Sequence, residues 1–139
     1  MGILRRRRAP AEVERTDAEW RAQLDPEAYR VLRRSGTERP GSSPWAKPPA
    51  GGAYRCAGCD AELFRVGDQF DSGTGWPSFA APADPEAVTT HTDYKLVLPR
   101  REATCRRCGG HLGHVFADGP APTGERWCIN GAALRLDDA

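Results

Sequence analysis

Short strand-like segments, two cysteine-pair turns and helix signals confined to the first quarter of the chain predict a mainly β fold. Its expected architecture is antiparallel sheet with an N-terminal helical arm, stapled by a zinc site of four cysteines. The chain has 139 residues, among them 15 glycines and 12 prolines. A turn-rich chain of this size buries a limited core, so a metal staple is physically useful. One domain is expected over 16–139, behind a disordered tail at 1–15. The domain divides into a helical arm (16–36), a loop (37–52) and a zinc-stapled β core (53–136).

Thr16-Asp17-Ala18-Glu19 has the form of a capping box and opens a short helix carrying Trp20 and Leu24. Asp25 is an N-cap for a second helix, with Pro26 in its first turn. Tyr29 and Leu32 share a face of it, Arg33 and Arg34 suit its C-terminus, and Gly36 ends it. Residues 37–52 are rich in Gly, Pro and Ser, with Trp45 the one large apolar anchor. Brief strands follow at 54–56, 62–64 and 69–70. Val88 to Leu98 is the longest strand candidate, with Tyr94, Leu96 and Leu98 on one face by alternation. Segments 114–117, 126–129 and 132–136 complete the set. Strands without intervening helices imply antiparallel pairing.

The five cysteines divide four and one. Cys56-Ala57-Gly58-Cys59 and Cys105-Arg106-Arg107-Cys108 are two C-x-x-C pairs, expected at the tips of two hairpins. Four thiolates fill one tetrahedral Zn²⁺, and a closed shell of four cysteines is the structural kind of site. The competing reading of a C-x-x-C pair is a redox disulfide; two matched pairs favour the metal. Asp60 and Gly58 beside the first pair, and Gly109 and Gly110 after the second, supply turn residues.

Charge excludes some classes. Up to residue 50 there are 11 basic and 7 acidic residues; from 51 onward, 9 and 12. A mildly acidic domain argues against a nucleic-acid surface, and the Arg5–Arg8 run reads as a solvated tail. No run is long and apolar enough for a transmembrane helix. No apolar stretch follows the N-terminal arginines, so no secretory signal is expected. Thiolates kept for zinc suit a reducing compartment, and a cytoplasmic monomer is expected.

Cys128 is the thiol left without a structural partner, and a lone Cys with His nearby is a candidate nucleophile. The plain alternative is a buried inert thiol between Trp127 and Ile129. Arg126 nearby is expected to lower its pKa. His111 and His114 are three apart and would face opposite sides of a regular strand; Gly113 and the Gly109-Gly110 pair suggest a bend that gathers them. Trp76, held extended before Pro77 in Gly73-Thr74-Gly75-Trp76-Pro77-Ser78-Phe79, caps the core or walls a small-molecule pocket.

These motifs together resemble one family. Gly75-Trp76-Pro77-Ser78-Phe79, the run 108–116, Asp118-Gly119-Pro120, Pro122-Thr123-Gly124 and Arg126-Trp127-Cys128-Ile129-Asn130 are similar to the methionine-R-sulfoxide reductases, the B-type enzymes. Trp20, Tyr29, Leu32 and 36–40 resemble that family's N-terminal arm. The resemblance implies two small antiparallel sheets, with a structural zinc site distal to catalysis. It implies reduction of the R epimer of methionine sulfoxide, free or in oxidised proteins and peptides, through a cysteine sulfenic acid. Cys128 is then the nucleophile, with His114, His111 and Asn130 as catalytic partners. Trp76, Arg126, Asp118 and Phe116 belong to the substrate pocket. The chain departs from the family at Thr74, where many members carry a resolving cysteine. That departure implies an external thiol reductant: thioredoxin, glutaredoxin or a small thiol. Gly131 replaces a common serine, and 93–102 matches the pattern only in part. The alternative from a different class is a non-catalytic zinc-stapled binding or chaperone module.

Overall fold

The computed structural model describes residues 12–94 and 100–138. Helix α1 spans Asp17–Gln23 and α2 spans Pro26–Arg34. The capping box forms in full: Thr16 Oγ1 accepts from Glu19 N at 3.1 Å, and Glu19 Oε1 accepts from Thr16 N at 2.7 Å. Asp25 caps α2 by accepting from Ala28 N at 2.8 Å. The left-handed residue that ends α2 is Ser35 (φ 55°) and not Gly36, whose amide donates to Arg30 O at 2.9 Å. Trp20, Val31 and Leu32 are buried against the core. Arg15 and Arg33 lie over the Trp20 indole, 5.0 and 4.6 Å from its centroid.

Nine strands follow among the described residues. They are β1 (Ala53–Cys56), β2 (Glu62–Arg65), β3 (Gln69–Phe70), β4 (Ser78–Phe79), β5 (Val88–Asp93), β6 (Arg100–Cys105), β7 (His111–Phe116), β8 (Arg126–Ile129) and β9 (Leu134–Asp137). They form two sheets, a three-stranded one in the order β2-β1-β9 and a six-stranded one in the order β3-β4-β8-β7-β6-β5. Every pairing is antiparallel. Buried aromatic rings fill the core: Phe64 stacks on Phe79 with centroids 4.4 Å apart, and Tyr54 meets Phe79 edge-on at 5.4 Å.

Several expectations change. Strand β4 has no counterpart among the expected segments, because two residues after a proline carry no readable alternation. Strand β6 has none either: its Arg-Arg-Glu start looks like a solvated turn. Strand β5 ends at Asp93, and Tyr94 is 76% exposed rather than facing the core. Leu96 and Leu98 lie outside the described residues. Strand β7 begins at His111. The last strand begins at Leu134 because Gly131–Ala133 forms a 3-10 turn. Of the expected tail, residues 1–11 lie outside the described residues. Val13 N donates to Arg107 O at 2.9 Å.

Candidate active site

Two hairpin tips build the cysteine cluster. Cys56 ends β1 and Cys59 lies in the turn to β2; Cys105 ends β6 and Cys108 lies in the turn to β7. Asp60 N donates to Cys56 O, and Gly109 N to Cys105 O; these two donors have φ of 70° and 77°. Each tip thereby curls both sulfurs inward. The four sulfurs lie within 4.8 Å of one another, all buried, and could hold one metal ion. Contact with the neighbouring sulfurs, together with burial, pushes the Cys56 and Cys105 thiols up, while the same contacts pull Cys59 and Cys108 down; four thiolates this close repel one another unless a cation lies between them. The helical arm closes over this cluster: Gln23 Nε2 donates to Gly58 O at 2.7 Å and Arg33 Nη1 to Cys108 O at 3.0 Å.

A separate cavity of about 220 Å³ opens on the six-stranded sheet. Thr37, Thr74, Trp76, Arg100, His114, Phe116, Arg126, Cys128 and Asn130 line it, and none of the four clustered cysteines does. Strand register explains who meets whom. His114 pairs with Cys128, Cys128 with Ser78, Glu102 with His114, and His91 with Glu102. Directly opposed residues share a face. His91, Glu102, His114, Cys128 and Ser78 therefore form one row across five strands. The opposite face of the same strands supplies buried Ala103, Val115, Trp127 and Phe79.

The expected gathering of His111 and His114 occurs, by a β-bulge. Gly113 pairs with Ala103 but His111 pairs with Thr104, so Leu112 is the extra residue. The odd spacing is absorbed, and the two imidazoles meet edge to face with centroids 5.5 Å apart. His114 borders the cavity; His111 is buried behind it. Gly113 is required by space, since a Cβ there would lie 2.0 Å from Cys128 O.

Cys128 is partly buried. Burial pushes its thiol above the ordinary cysteine range, and the Arg126 guanidinium only partly offsets this. Arg126 pulls the pKa down as expected, but desolvation outweighs this one neighbouring cation and the net shift is upward. Arg126 is itself engaged, donating to Asp118 Oδ1 at 2.9 Å and Oδ2 at 3.2 Å and lying 4.4 Å over the Phe116 ring. Asp118 does not line the cavity and reaches it through Arg126. Asn130 is buried; its Nδ2 donates to Leu112 O and its Oδ1 accepts from Glu38 N, both at 2.9 Å.

Sequence reasoning missed two residues. Glu38 accepts from Gly131 N and Ala132 N, both at 2.8 Å, and its carbonyl accepts from Trp76 Nε1 at 3.0 Å. Glu102 accepts from His111 Nδ1 and His91 Nε2, both at 2.6 Å. Glu38 lies within 36–40, which reads only as part of the arm, and Glu102 is an isolated acid after two arginines. The serine-to-glycine departure at Gly131 has a local reason, because a Cβ there would lie 2.0 Å from Ser43 Oγ. Thr74 borders the cavity with its hydroxyl 2.8 Å from Ser72 Oγ.

Comparison with known proteins agrees with this geometry. Residues 24–138 match the SelR domain. The chain is 52% identical over 123 residues to the peptide methionine sulfoxide reductase MsrB of Agrobacterium fabrum, covering 88% of this chain and 91% of that one. It is 54% identical over 120 residues to the protein of that name from Thiobacillus denitrificans, covering 86% and 91%. With that of Methanosarcina mazei it shares 47% over 126 residues, covering 91% and 90%. The chain belongs to the SelR-domain family of MsrB peptide methionine sulfoxide reductases.

Proposed function

We propose that this protein reduces the R epimer of methionine sulfoxide, free or within oxidised proteins and peptides, to methionine, with Cys128 as nucleophile. The observation that carries the reading is the direct cross-strand pairing of His114 with Cys128 at a cavity walled by Trp76, in a chain of the MsrB family. The cavity admits a thioether-sized group. The Trp76 side favours the substrate methyl and the histidine side its oxygen, and that asymmetry selects one configuration at sulfur.

At rest the thiol of Cys128 carries its proton. As a proton reaches the sulfoxide oxygen, the sulfur becomes electrophilic and the cysteine sulfur attacks. The sum is thiol plus sulfoxide giving cysteine sulfenic acid plus methionine; the sulfoxide gains two electrons and the thiol loses them. His114 stands where it can carry the proton, with His111 behind it. Asn130 braces the strand end that bears Cys128, and Arg126, steadied by Asp118 and Phe116, offsets charge on sulfur.

Thr74 stands where the family resemblance places a resolving cysteine, so the sulfenic acid is reduced by an external thiol. The first thiol forms a mixed disulfide and releases water; a second releases Cys128. Thioredoxin, a glutaredoxin or a small thiol each meets this chemistry. The four buried cysteines hold structural Zn²⁺. A tetrahedral ion with ~2.3 Å bonds to sulfur sets sulfurs ~3.8 Å apart, and the Cys56–Cys108 and Cys59–Cys105 sulfurs are 3.8 and 3.5 Å apart. Four sulfurs close the shell, so zinc supplies cohesion rather than a reactive position. No helix among the described residues is long and apolar enough to cross a membrane. Thiols kept for zinc favour a reducing, cytoplasmic compartment.

Consumption of dabsylated methionine sulfoxide with a dithiol tests the reading. The R epimer should be consumed and the S epimer spared. No turnover of either epimer by zinc-loaded protein would leave the binding-module alternative standing.

A further inference from the structure

We propose that Glu102 is a positioning residue for this site: its carboxylate clamps His91 and His111 at once, fixing the ring orientation and tautomer of His111 behind His114. The inference rests on the sulfoxide-reductase reading above and deepens it. The chain contains three histidines. Strand order and the β7 bulge bring all three to the sheet face that carries Glu102. His91 lies directly opposite it on β5, His114 directly opposite on β7, and His111 one diagonal step away. Glu102 Oε1 is 2.6 Å from His91 Nε2, and Oε2 is 2.6 Å from His111 Nδ1. Both oxygens are therefore occupied by imidazoles from flanking strands.

The chemistry of the clamp follows from its donors and acceptors. Burial disfavours the Glu102 carboxylate, yet the His111 hydrogen bond and the charges of His111 and His91 outweigh it, and the group stays ionised below the ordinary glutamate range. An ionised carboxylate only accepts. His111 must then carry hydrogen on Nδ1, and His91 on Nε2. In neutral His111, Nε2 is left as the acceptor, free to take up and return a proton. His91 Nδ1 is buried with no hydrogen-bond partner among the described residues, as expected for the end of such a chain rather than its working tip. The titratable and charged groups on this face are His91 from β5, Arg100 from β6 itself, His111 and His114 from β7, and Arg126 and Cys128 from β8. A partly buried carboxylate shared by one buried and one half-exposed imidazole adds less to fold stability than apolar side chains of equal volume. Their placement behind the nucleophile's partner is better explained by what they hold in place.

The zinc-loaded wild-type protein provides the first test. Long-range ¹H–¹⁵N spectra at pH ~8, above the ordinary histidine range, should show His111 in the Nδ1–H tautomer and His91 in the Nε2–H tautomer. His111 found as Nε2–H overturns the proposal. The second test compares Glu102→Gln with wild type in single turnover of dabsylated methionine-R-sulfoxide. The maximal rate should fall at least ~10-fold, with half-saturation within ~2-fold, as for loss of an oriented proton carrier. The alkaline limb of the rate profile should move to lower pH. An unchanged rate and an unchanged profile overturn the proposal. Should the variant lose zinc or its cooperative urea transition, the wild-type tautomers decide alone. A wild type inactive on both epimers sinks the reductase reading instead, and the spectra still report on the clamp.

Discussion

Glu38 and Asn130 pin two distant parts of the chain together: the Glu38 amide donates to Asn130 Oδ1 at 2.9 Å across the junction between the arm loop and the end of β8. The same glutamate accepts from Gly131 N and Ala132 N through its carboxylate, and from the Trp76 indole through its carbonyl. Replacing its side chain strands amides that have little access to water. Glu38→Ala should lower stability by roughly 1–3 kcal/mol, read by urea denaturation. It should also slow turnover, because the backbone segment that holds Trp76 and Asn130 through its carbonyl and amide loses its side-chain tie to Gly131 and Ala132. A variant as stable and as active as wild type would remove Glu38 from the support of the site.

Cys128→Ser should abolish sulfoxide reduction while metal content stays that of the wild type. The sign of its pH effect follows from burial. A thiol whose folded pKa lies above its unfolded value of ~8.5 contributes stability below that value and loses it as pH rises through the folded pKa. Wild type should therefore lose stability relative to Cys128→Ser as pH rises above ~8.5. Parallel stability curves for the two proteins over that range would contradict the burial argument.

Cys56→Ser or Cys105→Ser should release the metal and lower Tm by at least ~10 °C, because ion binding at such a cluster is coupled to folding. Metal analysis alongside calorimetry checks this. A metal-free variant melting at the wild-type temperature would show that the two hairpin tips hold without an ion.

His114→Ala should reduce single-turnover rate by ~10²-fold or more, as for loss of a positioned acid. His111→Ala should cost less, because that ring stands behind His114 and does not border the cavity. The loss in both should be greatest at neutral to high pH, where solvent supplies few protons. An unimpaired His114→Ala would exclude His114 from the proton path.

Without reductant, one equivalent of methionine should form per protein, leaving a sulfenic acid trapped by dimedone at Cys128 and no internal disulfide. Thr74→Cys should instead give a disulfide to Cys128, provided the Cα atoms approach to ~4.4–6.8 Å. Peptide mapping after one turnover distinguishes these. A wild-type disulfide between Cys128 and any of the four clustered cysteines would show that the metal site doubles as the resolving centre.

The cysteine arithmetic, both helix caps and most strands were legible in the sequence because each rests on local chemistry. Spacing defines a C-x-x-C turn, and Thr16 needs only Glu19 to close its box. What escaped depends on neighbours far along the chain. Arg100-Arg101-Glu102 opens a strand because Arg101 pairs with Glu125 at 2.9 Å and Glu102 is taken up by two histidines. Ser78–Phe79 is a strand because β8 offers it an edge. The thiol pKa of Cys128 went the other way because spacing reveals Arg126 but not the depth of burial.

The row from His91 to Ser78 has a kinetic consequence. Its five members come from five strands, and the Cys128–Ser78 neighbours are joined only by a pairing distant in sequence. Such contacts form late, since each must wait for a long loop to close. During refolding, secondary structure in the helical arm should precede catalytic competence. During synthesis Cys128 emerges after both of its cross-strand neighbours, and the His114–Cys128 pairing forms only when β8 docks.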